Sequence, residues 1–368
     1  MNCLNNMKMR TIFTIILSVA AIFATAQDYR ISCMVKPEFN GKTAYIINKT
    51  AGDTIAACEI VDNAFTYNGD ICCQAVIDVV VNRAKGQVAT VLVEKGSNIA
   101  VDMVERPARI NDNGGMNDRL AAMYANVKER SAALSARAKE LYDAGKSEDE
   151  ILAATTAETE ALYDVYRNTI IDNCDNILGA YVLNLVARQL YTSAEELDAI
   201  ISKVKFSGEF RALEKVRAAL YYGEKTKVGN MFVDFGGFSL DGKPVRFSDY
   251  AGCGKYVLVD FWASWCGPCK REMPKVIEAY NKYSGDKFIV IGVNIGDKEE
   301  SFRAAVPELG IPYPQIFIPR NSKDEDNAAL LYNVETIPHL MLIAPDGTIL
   351  ERGISGAGLD EKIASCLK

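Results

Sequence analysis

Histidine is almost absent from this chain: 368 residues contain a single one, His339. That scarcity excludes multi-histidine zinc sites and mechanisms built on several imidazoles. An excess of basic charge is also lacking, because 41 Lys and Arg face 48 Asp and Glu for a net charge of −7. The chain therefore carries no cationic footprint of the kind nucleic-acid binding requires. Only one Cys-x-x-Cys occurs, at Cys266 and Cys269, with no second such pair and no Cys-x-x-His. Two sulfurs cannot complete a four-ligand zinc site, so neither a metal nor another cofactor is expected. Outside the N-terminus no apolar run is long enough to span a membrane.

What is present begins with an export-type segment at residues 1–26. Lys8 and Arg10 form a positive start, Thr11 to Ala24 an apolar stretch, and Ala24-Thr25-Ala26 a small-residue cleavage site. Its removal would leave a chain starting at Gln27, with the net charge moved from −7 to −9 by the loss of Lys8 and Arg10. An uncleaved N-terminal anchor is the alternative. Export implies a compartment where disulfides persist, a bacterial periplasm. Of ten cysteines, Cys3 lies in the removed segment and nine remain. An odd number cannot pair fully, and their irregular spacing does not suggest a disulfide scaffold. Most of those outside the motif are expected to be buried free thiols acting as small hydrophobes.

The length suggests several domains, at roughly 150 residues each. Residues 27–107 read as all-β and sandwich-like: β-branched segments such as Tyr29 to Val35, Thr43 to Asn48 and Ala75 to Asn82 alternate with turns such as Asn40-Gly41, Asn68-Gly69 and Lys85-Gly86. Cys72-Cys73 falls among these strands. Neighbouring strand residues point to opposite faces, so no site using both sulfurs is expected. Residues 108–226 turn helical in period. One helix stops at Asp143-Ala144-Gly145, a second opens at Ser147 with Glu150 three residues on, and others follow to Tyr222. Residues 227–368 combine a hairpin around Asp241-Gly242-Lys243-Pro244, a strand at Tyr256 to Trp262, a helix after Cys266 and further strands and helices, which predicts an α/β layer with a mixed sheet.

The chemistry concentrates where that strand runs into the helix. Cys266 would sit at the helix start, near the positive end of the dipole and unpaired backbone N–H groups, which favour thiolate. Cys266 is thus the expected attacking sulfur, and Cys269, one turn further on, the sulfur that closes the disulfide. Gly267 permits the turn and Pro268 starts the helix without needing its N–H.

Val259-Asp260-Phe261-Trp262-Ala263-Ser264-Trp265-Cys266-Gly267-Pro268-Cys269-Lys270 resembles the active-site signature of the thioredoxin family, and the likeness extends over roughly Val228 to Lys368. It implies a thiol-disulfide oxidoreductase. In that likeness Asp260 matches the buried carboxylate that moves protons to and from the resolving cysteine, Pro274 a helix-kinking proline, and Ile337-Pro338 the cis-proline loop that pairs with substrate backbone beside Trp265, Gly267 and Pro268. Cys269-Lys270-Arg271-Glu272-Met273-Pro274 further resembles the exported TlpA/ResA-like branch, in which a glutamate at the Glu272 position handles protons. The β-rich N-terminal part is similar in pattern to domains that precede thioredoxin modules in exported Bacteroidetes proteins. Gly-Pro between the cysteines is the dipeptide of reducing thioredoxins, while Asn294-Ile295-Gly296 departs from the lysine-bearing segment of the cytoplasmic members. The partners implied are disulfide-bearing exported proteins or apocytochromes, with a membrane-embedded electron donor. Two other readings stay open. One is a peroxiredoxin-type thiol peroxidase, against which Ala263 stands where a hydroxyl is needed. The other is a binding or stress-response module in which the β and helical parts recognise a partner.

Overall fold

The computed structural model describes residues 28–81, 87–354 and 358–367. The export-type segment, Asn82 and the Lys85-Gly86 turn lie outside the described residues. The chain divides into two compact units, residues 1–190 with 199–213, and residues 191–198 with 214–368.

In the first unit, β-branched alternation produces two antiparallel-rich sheets of four strands. One has the order β4-β1-β7-β8, from β1 (Tyr29–Met34), β4 (Ala64–Gly69), β7 (Asn98–Asp102) and β8 (Arg109–Asn111). The other has the order β3-β2-β5-β6, from β2 (Thr43–Asn48), β3 (Thr54–Glu59), β5 (Ala75–Val81) and β6 (Gln87–Val93). Every second side chain of β1 turns inward, and Ile31 and Cys33 meet Ile46, Val79, Val91 and Val101 in one core. The expected sandwich is present, extended by β3 and β8. Helix α1 (Met116–Asp143) ends before Gly145 at φ 77°, a left-handed conformation that glycine adopts without penalty. Helix α2 (Glu148–Asp172) opens with the Ser147/Glu150 capping box, and α3 (Ile177–Leu190) is the most buried helix of this unit. At the start of α1, buried Asn117 exchanges two hydrogen bonds of 2.8 Å with the N–H and C=O of Leu92, pairing with the outer edge of β6 as a further strand would.

The cysteines depart from expectation in two respects. Cys33, Cys58, Cys72, Cys73, Cys174, Cys253 and Cys366 are free, yet only Cys33 is fully buried and Cys72, Cys73 and Cys253 are exposed. Cys72 and Cys73 lie in a bend between β4 and β5, outside either strand, so the alternation that would part their side chains does not apply.

The chain passes between units through α4 (Ala194–Ile201) and α5 (Arg211–Lys225). The second unit is built on a seven-stranded mixed sheet in the order β10-β9-β13-β12-β11-β14-β15. Its strands are β9 (Gly236–Phe238), β10 (Pro244–Arg246), β11 (Tyr256–Trp262), β12 (Phe288–Ile295), β13 (Gln315–Ile318), β14 (His339–Ile343) and β15 (Ile349–Ile354). β11, β12 and β13 run parallel, and β14 and β15 return antiparallel. Both faces of β11 are buried, which explains its unbroken apolar run. Its alternate residues still divide the work. Val257, Val259 and Phe261 enter a core with Phe235, Phe247 and Tyr332, while Leu258 and Trp262 enter the opposite one with α6 (Gly267–Tyr283), α7 (Glu299–Glu308) and α9 (Leu359–Cys366). A short helix α8 (Ala328–Leu331) covers the first of these faces. By the same period of two, Asp260 shares the α6 side of the sheet with Leu258 and Trp262.

Candidate active site

Helix α6 forms where Pro268 enters at its first turn and Met273, Val276 and Ala279 recur on one side to pack on the sheet. Cys266 is its N-cap: the Cys269 N–H donates to Cys266 Sγ at 3.1 Å. Cys266 and Cys269 are joined in a disulfide with Cα atoms 5.3 Å apart, and both are buried. Gly267 and Pro268 are exposed beside them, as is Trp265, whose indole N–H donates to the Gly296 carbonyl at 3.3 Å. The Ile337–Pro338 peptide is cis, and the Ile337 carbonyl oxygen lies 3.6 Å from Cys266 Sγ. The fold thus brings together both cysteines and the Ile337-Pro338 loop. A groove next to them is lined by Trp265, Ile295, Gly296, Arg320, Thr336 and Ile337.

Asp260 is 3% exposed and accepts a hydrogen bond of 3.0 Å from the Tyr313 hydroxyl. Burial pushes its pKa up to about 7; the Tyr313 bond pulls it down and the charge of Glu272 pushes it further up. Glu272, half-buried on the second turn of α6, therefore stands within electrostatic reach of Asp260. Pro274 lies inside α6 and is exposed. His339 opens β14 opposite Phe261, its ring edge-on to that phenyl at 5.9 Å. Its pKa is lowered to about 4, first by burial and then by Arg352, so the imidazole is neutral at ordinary pH. Ala263, three residues before Cys266, is buried and offers no hydroxyl to a peroxide.

Three supporting side chains were not legible in the motif. Buried Asp297 accepts from the Ser264 N–H at 2.7 Å, the Ser264 hydroxyl at 2.8 Å and the Asn294 amide at 2.8 Å, and so holds the turn before Cys266. Gln315 accepts from the buried Trp262 indole N–H at 2.9 Å and donates to the Tyr313 carbonyl at 3.2 Å. Tyr313 supplies the hydroxyl on Asp260. The signal that could have found Asp297 is the polar Asn294 near the end of a buried strand, three residues earlier. Among the described residues, no group of three or more His, Cys, Asp or Glu is placed to hold a metal ion.

A strand-to-helix disulfide facing a cis-proline on a mixed sheet defines a class, and the chain belongs to the thioredoxin-like thiol-disulfide oxidoreductases. Residues 254–349 match the family model described as thioredoxin-like. Over 131 residues the chain is 35% identical to the thiol-disulfide oxidoreductase ResA of Geobacillus kaustophilus (strain HTA426), covering 35% of this chain and 71% of that protein. The ResA of Geobacillus thermodenitrificans (strain NG80-2) is 32% identical over 152 residues, 41% of this chain and 83% of that one. A solved thioredoxin domain of a thiol-disulfide oxidoreductase from Bacteroides vulgatus is 27% identical with a TM-score of 0.36, covering 39% of this chain and 99% of that one.

Proposed function

We propose that the chain works in a bacterial periplasm as a reductase of disulfides in other exported proteins, apocytochromes among them, and is itself re-reduced by a membrane-embedded donor. The observation that carries this reading is the Cys266 sulfur at the start of α6, 3.1 Å from the Cys269 N–H and 3.6 Å from the cis-proline loop. A thiolate formed there is stabilised by the amide and by the helix dipole. Cys266 attacks one sulfur of the substrate disulfide and expels the first substrate thiolate. Cys269, its proton taken toward Asp260 with Glu272 as the route outward, attacks Cys266 and expels the second. Two electrons pass to the substrate, and the pair is left as the disulfide of this structure. Trp265, Gly267 and Pro268 would border the bound substrate, with its backbone against Ile337 and Pro338. The export-type residues 1–26 support the periplasmic part of the reading.

The test is trapping. A Cys269→Ser variant, expressed with its N-terminal segment in a periplasm-bearing host, should accumulate mixed disulfides on Cys266 with exported proteins, and Cys266→Ser should accumulate none. Capture of small thiols alone would overturn the protein-substrate reading. A potential near that of strong periplasmic oxidants, about −120 mV, would overturn the direction.

A further inference from the structure

Among the described residues of the first unit, Cys72 and Cys73 bring two nucleophilic side chains into contact, and they lie outside the site above. Their bend is held on both sides. The Ile71 N–H donates to Asp28 at 3.1 Å; the Gln74 amide donates to Glu94 at 2.7 Å and accepts from the Ile177 N–H at 2.7 Å. With its flanks fixed, the bend presents both side chains to solvent, and the two sulfurs stand 3.7 Å apart, within hydrogen-bonding distance of each other. Two exposed thiols already in contact can bond without drawing in a distant part of the chain, and little chain freedom is lost when they do. The eight-membered ring that closes between adjacent cysteines brings their Cα atoms nearer than in ordinary disulfides, which makes the bond strained and readily reduced, as a cycling centre requires.

We propose that Cys72 and Cys73 form a second thiol-disulfide centre, cycling between the dithiol seen here and a vicinal disulfide by exchange with an external disulfide. This goes beyond the function proposed for Cys266 and Cys269 and does not depend on it. Cys72 as thiolate attacks one sulfur of the external disulfide; a new S–S bond forms as the old one breaks, and the first external thiolate leaves. Cys73 then attacks the Cys72 sulfur, closing the ring and expelling the second external thiolate. Two electrons pass from the pair to the external disulfide, and the two protons lost by the pair end on the released thiols. The Cys73 thiol is held above its ordinary pKa, first by the hydrogen bond with Cys72 and then by burial, which keeps it protonated while Cys72 makes the first attack.

The experiment treats the full chain carrying Cys266→Ser and Cys269→Ser with oxidised glutathione, quenches with acid, alkylates and cleaves before aspartate. This releases Asp70–Ile77, which contains Cys72, Cys73 and no other cysteine. The expected peptide is lighter by two hydrogens, wholly refractory to alkylation, and takes two alkyl groups once reduced. The wild-type chain should yield the same peptide. Adding Cys73→Ser should leave glutathione on Cys72 instead. A dialkylated peptide, glutathione retained on the unaltered pair, or a link to the peptide carrying Cys58 would each overturn the proposal.

Discussion

Asp260 keeps its proton to about pH 7 because it is buried, whereas His339 refuses one until about pH 4 for the same reason. The two therefore act on stability with opposite signs. Between about pH 4 and 7 the folded Asp260 holds a proton that the unfolded chain has released, so its contribution falls as pH rises. Between about pH 6.5 and 4 the unfolded His339 gains a proton that the folded one does not, so its contribution falls as pH drops. Asp260→Asn should make the melting temperature fall more steeply on acidification from pH 7 to 4, and His339→Gln should make it fall more steeply on going the other way; thermal melts across that range check both. A further consequence attaches to Tyr313. Tyr313→Phe removes the hydrogen bond that favours the Asp260 carboxylate, so its titration midpoint should move above 7. An infrared titration of the carboxylate band would detect that rise, and an unmoved midpoint would refute it.

At the scale of elements, β12 and β13 meet through an unusual exchange. A side-chain carbon placed on Gly292 would come within 2.3 Å of the Gln315 amide, which is itself tied to Trp262 and the Tyr313 carbonyl. Gly292→Ala should therefore cost about 1–3 kcal/mol in denaturant melts, as overpacking of a fixed core does. The sequence shows why some of this was visible and some was not. The Cys-x-x-Cys, its strand and its helix are contiguous, so composition and order alone expose them. Asp297, Gln315 and Tyr313 reach the site from 33 and 53 residues away through parallel crossovers, and no local pattern marks them. Strand β3 escaped because Ala56-Ala57-Cys58 carries little β-branched signal on a largely exposed edge, and β8 because it is three residues long. The Ser147 capping box and the Gly145 stop were legible because both act within one helical turn. Asn117 belongs to the same scale: its two bonds occupy the open edge of β6, and Asn117→Leu should leave both Leu92 groups unpaired at a cost of about 1–3 kcal/mol each, seen as lost amide-exchange protection at Leu92.

Across the whole molecule, the described cysteines form a single disulfide, at the start of α6, while seven others remain free. A chain of this composition is read most directly by light. It has two tryptophans, and they differ as far as two can: Trp262 is fully enclosed, while Trp265 is 63% exposed and adjoins Cys266 in sequence. A disulfide quenches a neighbouring indole by accepting its excited electron, and Trp262 shares a buried cluster with Cys266 and Cys269, so opening that bond should brighten the blue emission of Trp262 as well as the red-shifted emission of Trp265. Trp265→Phe should remove the red-shifted part and leave a redox-dependent change in the blue emission of Trp262. The placement of the two indoles thus gives the protein its own optical electrode, on which a potential can be titrated without any label.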